Sequence, residues 1–363
     1  MNMATLDDPR LRALGTIACS VPPGAGGLGQ HFDELRRVAK TFGLTDVQSI
    51  HPSTSRSTEP GHIAVRRGAR GGQFLAHVPM EHAYPWFVQA ACLTFDWSTS
   101  RAIPPGTDGF TGFASHSLLS FRRARRLGVS YLGLAAPNSH VDNLWKQQTL
   151  ARSMYPVDRG WLTDYVRRRT LKEYELADAI FISSEYQRAS FLDSAVDPDK
   201  LIRIDLRPHP RFKPRERPPT GETFNVVYVG RIDLIKGIPV LLDAFSSAAR
   251  PDWRLTMMGN FSSYGLRTYV RKRIQRDHRI SLRDYGDPLE VLRSAHVFVH
   301  PSFEDGFGYA PMEALAVGVP VIVTDQTGMA ECVEEGRSGS VIPAGDVDAL
   351  AARLREYELR LRS

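Results

Sequence analysis

Two segments in the second half of the chain carry residues suited to a phosphorylated ligand. In the longer one, PSFEDGFGYAPMEALAVGVPVIVTD at 301–325, a glycine-bearing turn separates a strand expected to end at His300 from a helix expected to begin near Tyr309. Such a turn presents backbone N–H groups and the positive end of a helix dipole, which together suit a diphosphate. The sequence therefore predicts an anion site at Gly306 and Gly308.

Two carboxylates accompany this turn. Asp305 lies in the loop and Glu313 follows eight positions later on the first helical turns. Both can therefore face one ligand that carries hydroxyl groups, as sugars and ribose do. The alternative is that the two glycines only build a tight strand-to-helix turn and that Glu313 is solvated.

The shorter segment, VGRIDLIKG at 229–237, supplies two cations. Arg231 and Lys236 follow directly on a predicted strand and could stabilise a departing diphosphate. Exposed Arg and Lys side chains in loops are often only solvated, which is the alternative here. Loops that follow parallel strands share one rim of a sheet, so the cations and carboxylates should converge on one crevice at a topological switch point.

The elements that position these segments follow from the apolar pattern after residue 224, which is typical of βαβ units and a doubly wound parallel sheet. The predicted strands are FNVVYVG, WRLTMMG, RISLRDYG, HVFVHPS and PVIVTD. The predicted helices are IPVLLDAFSSAA, GLRTYVRKRIQR, a short one over Leu289–Ala295 and one around Pro311–Gly318.

The first half gives a similar but noisier pattern. LRALGTIACS, VPPGAGGLGQ and HFDELRRVAKTFG are interpreted as strand, glycine-rich loop and helix, and the alternation resumes after residue 112 with SHSLLSFRRARRLG, VSYLGLAA, a helix within 159–176 and DAIFISS. Residues 43–112 show no clean period and stay unassigned. The Pro- and Arg-rich segment RPHPRFKPRERPPTGE is the expected linker, which divides the chain into domains 1–208 and 209–363.

Length and composition agree with two soluble domains. A chain of 363 residues exceeds the size of one typical hydrophobic core, and 42% hydrophobic with 24% charged residues is ordinary globular usage. No apolar run is long enough to span a membrane, and the start MNMATLDDPRLRALG lacks a signal-peptide pattern, so we expect a cytoplasmic protein. Cys19, Cys92 and Cys332 have no metal or redox spacing and are expected to be small buried hydrophobes.

The formal net charge of +6 favours an anionic partner, and basic residues cluster in FRRARR (121–126), VRRRTLK (166–172) and VRKRIQR (270–276). None of these runs has interleaved aromatic residues for base stacking, so no nucleic acid is expected. The first two runs leave open a peripheral contact with the inner face of an anionic membrane. The alternative is that each run is the solvated face of a helix.

Three segments together carry a family resemblance. GRIDLIKG, PSFEDGFGYAPMEALAVGVPVI and GMAECVEEGRSGSVIPAGD, in this order and spacing, resemble the retaining glycosyltransferases of family four, the glycogen-synthase-like group with the GT-B fold. The match spans most of residues 224–350. In the first half, GGLGQHFDEL at 26–35 resembles that family's first glycine loop, which faces the donor phosphates and acceptor, and NSHV with His140 resembles its interdomain histidine.

The resemblance implies two Rossmann-like α/β domains that face each other across a cleft, an acceptor-binding domain first and a donor-binding domain second. It implies a metal-independent hexosyltransferase that uses a UDP- or GDP-sugar, a glycan or lipid acceptor and no cofactor, in cell-envelope polysaccharide or glycolipid synthesis. The implied catalytic residues are Arg231, Lys236, His140 and Asp305. The implied donor-binding residues are Gly27, Gly230, Arg231, Lys236, Asp305, Gly306, Phe307, Gly308 and Glu313.

This sequence departs from the family pattern at one position of the site. The family usually has glutamate where Asp305 stands, and the neighbouring Glu304 could substitute only if the turn shifts. His116 is an alternative to His140 for the interdomain histidine. DPD (197–199) and DVD (346–348) are interpreted as caps of turns or helices and not as metal ligands.

Two other functions are compatible with the same fold. An epimerase or hydrolase would convert the nucleotide sugar without an acceptor, and a noncatalytic sugar-nucleotide-binding protein would bind without turnover. Family members usually continue past the helix that begins near Asp346, with further helices that pack on the first domain, whereas this sequence ends at Ser363. We therefore expect loosely coupled domains, of which the second binds nucleotide well, and slow turnover unless a partner or a second subunit supplies closure.

Overall fold

The computed structural model describes residues 8–52, 61–65, 84–221 and 223–362, which fold into two compact units. The first unit contains the described residues up to 65, together with Pro85–Trp145 and Trp161–Leu206. The second contains Tyr84, Lys146–Gly160 and the described residues from Arg207 onward. No helix among the described residues is both long and apolar enough to cross a membrane.

The first unit is built on a parallel sheet of seven strands in the order β3-β2-β1-β4-β5-β6-β7. The strands are β1 (Thr16–Ala18), β2 (Gln48–Pro52), β3 (His62–Val65), β4 (Gly109–Phe113), β5 (Tyr131–Ala135), β6 (Ala179–Ile182) and β7 (Leu201–Arg203). The helices are α1 (Gly26–Thr41), α2 (Tyr84–Ala102), α3 (Leu118–Arg126), α4 (Val141–Met154, in the second unit from Lys146), α5 (Asp164–Leu176) and α6 (Glu185–Asp193).

The second unit is built on a parallel sheet of six strands in the order β10-β9-β8-β11-β12-β13. The strands are β8 (Phe224–Val229), β9 (Trp253–Met258), β10 (Ile280–Arg283), β11 (Val297–His300), β12 (Val321–Thr324) and β13 (Gly339–Ile342). The helices are α7 (Ile238–Ala248), α8 (Tyr264–Arg276), α9 (Leu289–Arg293), α10 (Tyr309–Val317) and α11 (Val347–Arg362).

The central strands of the second unit form its core. Every residue of β11 and β12 is buried, and both strands are mainly β-branched and apolar, as expected for parallel strands covered on both faces. Chain order reverses between β8 and β11, so the loops after these two strands border the switch point where ligands of open α/β sheets usually bind.

The structure corrects the predicted start of the chain. Pro9–Gly15 forms a 3₁₀ helix, capped by the Asp8 carboxylate through the Arg10 N–H, and only Thr16–Ala18 is strand. The 3₁₀ helix forms because Asp8 and the proline after it supply the usual start signals of a helical turn. The glycine-rich loop is also shorter than predicted, since α1 already begins at Gly26.

The expected caps are confirmed, and one cysteine prediction is wrong. Asp197 accepts a hydrogen bond from the Asp199 N–H at 2.9 Å, and Asp346 accepts one from the Ala349 N–H at 2.8 Å at the start of α11. Cys19 and Cys92 are buried as expected, but Cys332 is exposed because the 3₁₀ turn Gly328–Cys332 ends at the surface.

Candidate active site

The loops after β8 and β11 are joined to each other. The Phe303 N–H donates to the Ile235 carbonyl at 2.8 Å, and the Ser302 hydroxyl donates to the same oxygen at 3.2 Å. Gly237 has a φ of +70°, and a Cβ built there would lie 1.8 Å from the Pro301 carbonyl oxygen. Only glycine fits at this crossing, which explains the last residue of the GRIDLIKG segment.

The loop after β12 holds the turn that follows β11. The Asp305 N–H donates to the Gln326 carbonyl at 3.0 Å, and the Asp305 carbonyl accepts from the Gly328 N–H at 3.1 Å. Two residues further on, the Phe307 carbonyl accepts from the Thr327 hydroxyl at 2.9 Å. The predicted anion turn is therefore fixed on both sides of Gly306 before any ligand arrives.

Helix α10 begins where this turn ends. Its cap residue, Gly308, has a φ of +109° and no side chain that could satisfy the N–H groups of the first helical turn. The positive end of the helix dipole makes such a terminus suited to an anion. Gly306 and Gly308 therefore place a helix N-terminus at the carboxyl end of β11, as the sequence predicts.

A lysine and a histidine converge on one oxygen of Asp305. The Lys236 Nζ lies 2.8 Å from Asp305 Oδ2, and the His300 Nε2 lies 2.9 Å from the same atom. Burial by itself would raise the pKa of the Asp305 carboxyl, but the Lys236 ammonium and the His300 hydrogen bond hold that pKa well below its usual range. Asp305 is therefore a carboxylate at neutral pH.

Arg231 lies on the same rim, with Asp233 beside it. The Arg231 Nε is 2.8 Å from Asp233 Oδ2, while 51% of the arginine side chain remains exposed. Asp233 is buried, and its other oxygen accepts from the Ile235 N–H at 3.2 Å. The buried carboxylate thus anchors the arginine at its Nε and leaves about half of the side chain open to solvent.

Glu313 is not the solvated residue of the alternative interpretation. It lies on α10 and only 5% of its surface is exposed. The side chain of Tyr285, in the loop after β10, is half buried, with 51% of its surface exposed. This partial burial raises the pKa of the Tyr285 hydroxyl, and the nearby negative charge of Glu313 raises it further. Glu304 is also fully buried, and its carbonyl accepts from Lys236 Nζ at 3.3 Å. The carboxylate that faces the lysine in this turn is therefore Asp305 and not Glu304.

The second unit thus brings together most of the predicted donor-site residues. Lys236, Asp305 and the turn through Gly308 lie in direct contact, with Gly230 and Arg231 on the same rim. Sequence reasoning missed three neighbours: His300, Asp233 and Tyr285. All three lie within segments quoted above, HVFVHPS, VGRIDLIKG and RISLRDYG, and their positions at or just after the ends of predicted strands were the available signal.

The remaining predicted residues lie in the first unit. Gly27 is the second residue of α1. His140 is buried against the rings of Tyr174 and Phe191, with centroids 4.9 and 5.2 Å away. Its Nδ1 accepts from the Asp142 N–H at 3.3 Å, and burial lowers the pKa of the imidazole to about 4. His140 is therefore neutral at physiological pH.

The alternative histidine, His116, is engaged in its own unit. Its Nδ1 donates to the Ala114 carbonyl at 3.0 Å, and its Nε2 lies 3.3 Å from the Cys92 sulfur. Burial would lower the pKa of His116, but Cys92 and the Ala114 carbonyl together raise it to about 9. The two histidines thus differ in their contacts within the described residues: His140 uses Nδ1 alone, whereas both ring nitrogens of His116 have partners in the first unit.

Comparisons with known proteins agree with this geometry. A profile described as Glycosyl transferases group 1 matches residues 223–357, which contain all of the site described in the second unit. The phosphatidyl-myo-inositol mannosyltransferase of Mycobacterium leprae is 32% identical over 290 residues, a match that covers 73% of this chain and 76% of that protein. The chain belongs to the group 1 glycosyl transferases.

Other relatives of this group 1 glycosyltransferase match over shorter stretches. The capsular polysaccharide biosynthesis glycosyltransferase CapM of Staphylococcus aureus is 30% identical over 141 residues, which cover 38% of this chain and 37% of that protein. The D-inositol 3-phosphate glycosyltransferase of Pseudarthrobacter chlorophenolicus is 32% identical over 198 residues, 48% of this chain and 47% of that protein. The chain thus spans less than half the length of these two relatives.

Solved structures establish the fold class of this group 1 glycosyltransferase. WaaG, a glycosyltransferase involved in lipopolysaccharide biosynthesis, aligns with a TM-score of 0.68 at 15% identity and covers 96% of this chain and 91% of its own. Anabaena HepE in complex with UDP-glucose aligns with a TM-score of 0.61 at 14% identity, over 96% and 90% of the two chains. Two parallel-sheet α/β domains of the GT-B class are thereby confirmed.

Proposed function

We propose that this protein is a retaining hexosyltransferase that moves a hexose from a nucleoside diphosphate sugar to an acceptor hydroxyl. The observation that carries the proposal is the meeting of Lys236, Asp305 and the N-terminus of α10 at the switch point between β8 and β11. Cations and a helix N-terminus suit a diphosphate, and carboxylates suit sugar hydroxyls. The likeness to the M. leprae mannosyltransferase supports the same reaction class.

In this proposal each group has one part of the donor to bind. Lys236 and Arg231 bind the diphosphate, together with the backbone of Gly230 and Gly308. Glu313 accepts hydrogen bonds from the ribose hydroxyls, and Asp305 accepts them from the hexose with help from the Gly306 and Phe307 N–H groups. A UDP- or GDP-sugar is the donor class; the HepE complex with UDP-glucose supports the former for this fold.

Catalysis would rest on charge stabilisation. As the bond between the sugar and the diphosphate breaks, negative charge grows on the leaving phosphate, where Lys236, Arg231 and the helix N-terminus lie. The acceptor hydroxyl would lose its proton to a donor phosphate oxygen. We propose that neither a metal ion nor a cofactor is needed, since the cations of the protein supply the positive charge.

The acceptor side is proposed for the first unit, with Gly27 at the N-terminus of α1 and His140 or His116 as the histidine near the transferring sugar. Relatives named for capsular polysaccharide and phosphatidyl-myo-inositol glycosylation support an acceptor of the cell envelope, a glycan or a glycolipid. The Nδ1 of His140 accepts from the Asp142 N–H, so the proton of the neutral ring lies on Nε2, which could donate a hydrogen bond to the sugar. Both ring nitrogens of His116 are engaged within the first unit, with the Ala114 carbonyl and the Cys92 sulfur.

The test is a binding and turnover panel. UDP, GDP and ADP and their hexose derivatives are screened by thermal shift, because a ligand that binds the folded state raises Tm by mass action. The best sugar nucleotide is then incubated with and without glycan or lipid acceptors, and products are followed by mass spectrometry. Acceptor-dependent transfer supports the proposal. Donor conversion without acceptor would identify an epimerase or hydrolase, and binding with no turnover a noncatalytic protein.

A peripheral contact with the inner membrane face is proposed for helix α3. Its arginines 122, 123 and 126 are exposed, and Arg125 pairs with Asp178 at 2.7 Å. In the run 166–172, by contrast, all three arginines form ion pairs, with Asp142, Asp164 and Asp96. The charge available to lipid headgroups is therefore larger on α3 than on α5.

Replacing Arg122 and Arg123 by Gln should weaken binding to phosphatidylglycerol vesicles about 30-fold, since each basic residue near an anionic surface contributes roughly 1 kcal/mol. The binding of each variant to the vesicles is measured by cosedimentation. The matched control changes Arg271 and Lys272, which are exposed on α8 of the second unit. Equal binding to neutral and anionic vesicles by the unaltered protein would exclude this contact.

A further inference from the structure

His300 has no role in the sites assigned so far, although it touches the proposed sugar-binding carboxylate. It is the last residue of β11, and only 4% of its surface is exposed. Its Nε2 lies 2.9 Å from Asp305 Oδ2, while among the described residues its Nδ1 has no hydrogen-bond partner. Its one polar side-chain contact within the described structure is therefore Asp305.

Burying a histidine at this position costs free energy unless its hydrogen bond to Asp305 compensates. The rest of β11 consists of Val297, Phe298 and Val299, all fully buried, so packing alone would be met by another apolar side chain. With no acceptor near Nδ1, the neutral tautomer that carries its proton on Nε2 satisfies the geometry, and this N–H donates to the carboxylate. The imidazole thus holds the aspartate by a charge-assisted hydrogen bond.

The arrangement leaves one oxygen of the carboxylate for a ligand. Oδ2 of Asp305 accepts from both Lys236 and His300, at 2.8 and 2.9 Å. Among the described residues no hydrogen bond reaches Oδ1, and the side chain is 19% exposed. With Oδ2 occupied on two sides, the carboxylate plane is fixed and Oδ1 is the acceptor that remains for a sugar hydroxyl.

Resting on the proposed function, we propose that His300 is a positioning residue for the hexose of the donor, which acts only through Asp305. It sets the orientation of a carboxylate that is one methylene shorter than the glutamate usual in the resembled family. Lys236 contacts Asp305 and is also proposed to bind the diphosphate, whereas His300 is proposed to act on Asp305 alone. Loss of His300 should therefore affect recognition of the sugar and leave recognition of the nucleoside diphosphate unchanged.

The experiment compares the Kd of UDP with that of UDP-glucose, and of GDP with that of GDP-mannose, by calorimetry. His300→Phe should raise the Kd of the better sugar nucleotide about tenfold, the loss of one hydrogen bond to a charged group, and keep that of the matching diphosphate within about twofold. His300→Gln, which can place an N–H near the position of Nε2, should restore most of the difference.

Two controls separate positioning from folding. His296→Phe alters a second buried histidine just before the same strand, whose Nδ1 accepts from the Asn225 N–H at 2.9 Å, and should leave the ratio of the two Kd values unchanged. In an Asp305→Ala background, His300→Phe should change that ratio less than twofold, because the histidine acts only through the aspartate.

The outcomes are distinguishable. An equal rise in both Kd values, no rescue by His300→Gln, or a full effect of His300→Phe without Asp305 would each overturn the positioning role while donor binding stands. If the unaltered protein binds neither diphosphate nor sugar nucleotide of either pair, the proposed function is refuted and the role of His300 with it.

Discussion

Replacing Lys236 by Met removes the ammonium from the centre of the site and keeps an unbranched apolar side chain of similar length. In the structure this ammonium is 2.8 Å from Asp305 Oδ2 and donates to the Glu304 carbonyl at 3.3 Å, with 16% of the lysine side chain exposed. One preorganised group that stabilises charge in a transition state contributes about 100- to 1000-fold to turnover. We expect Lys236→Met to lower kcat by that factor.

The same substitution should also lower the free energy of unfolding. Breaking a fully buried ion pair costs about 3–5 kcal/mol, whereas exposed pairs contribute about 0–1 kcal/mol. Lys236 and Asp305 are 16% and 19% exposed, and His300 remains as a partner of the carboxylate, so a loss of roughly 2 kcal/mol is expected. A domain of this size should still be folded at the assay temperature.

The assay is the initial rate of transfer at saturating donor and acceptor, with unfolding followed separately by circular dichroism. Lys272→Met is the matched control, because Lys272 is exposed on α8 of the same unit and loses the same charge. A kcat within about threefold of the unaltered enzyme would refute the assignment. A rise in donor KM at unchanged kcat would show that Lys236 binds ground state and transition state equally.

Three further results are expected. Glu313→Ala should raise the Kd of the nucleotide, measured by calorimetry, about 10- to 100-fold and change kcat little, because the ribose contacts are the same in the ground state and the transition state. An effect on kcat alone would contradict this. Gly237→Ala should lower Tm far more than Gly318→Ala, since both have positive φ but only the former meets a carbonyl, that of Pro301, at 1.8 Å; equal losses would refute the crowding argument. The Tm difference between the unaltered protein and Asp305→Asn should narrow below about pH 4. The pKa of Asp305 is lower in the folded than in the unfolded protein, so its carboxylate stabilises the fold above the unfolded pKa and loses this contribution as pH falls. A difference that does not depend on pH would contradict this.

The second unit was predictable because its signals are local. Its strands are short apolar runs bounded by glycine, proline or polar residues, and its helices follow at regular spacing, so periodicity separates the two.

The secondary structure within the stretch 43–112 could not be predicted in this way. Helix α2, YPWFVQAACLTFDWSTSRA, carries large apolar residues on its exposed side, including Trp86 and Trp97, and β4, GFTGF, contains two glycines. Neither segment therefore has the regular spacing of apolar residues from which a helix or a strand is predicted.

Which side chains meet in the site could be predicted only in part. Residue types and the shared rim of the sheet were enough to group Lys236 with Asp305. That both Lys236 and His300 contact the same oxygen depends on the direction of a short aspartate side chain and on which face of β11 its last residue occupies. These depend on loop contacts such as that between the Asp305 N–H and the Gln326 carbonyl, which no local pattern encodes.

The ion pairs of the site also bear on how a donor would bind. Lys236 faces Asp305 and Arg231 faces Asp233, so each cation of the candidate site is already opposed by a carboxylate. Affinity for a diphosphate then depends less on excess positive charge than on cations fixed in place before the ligand arrives, which reduces the reorganisation needed on binding and in the transition state. A diphosphate would share Lys236 with Asp305, and that sharing would link recognition of the phosphate to the position of the carboxylate that faces the sugar.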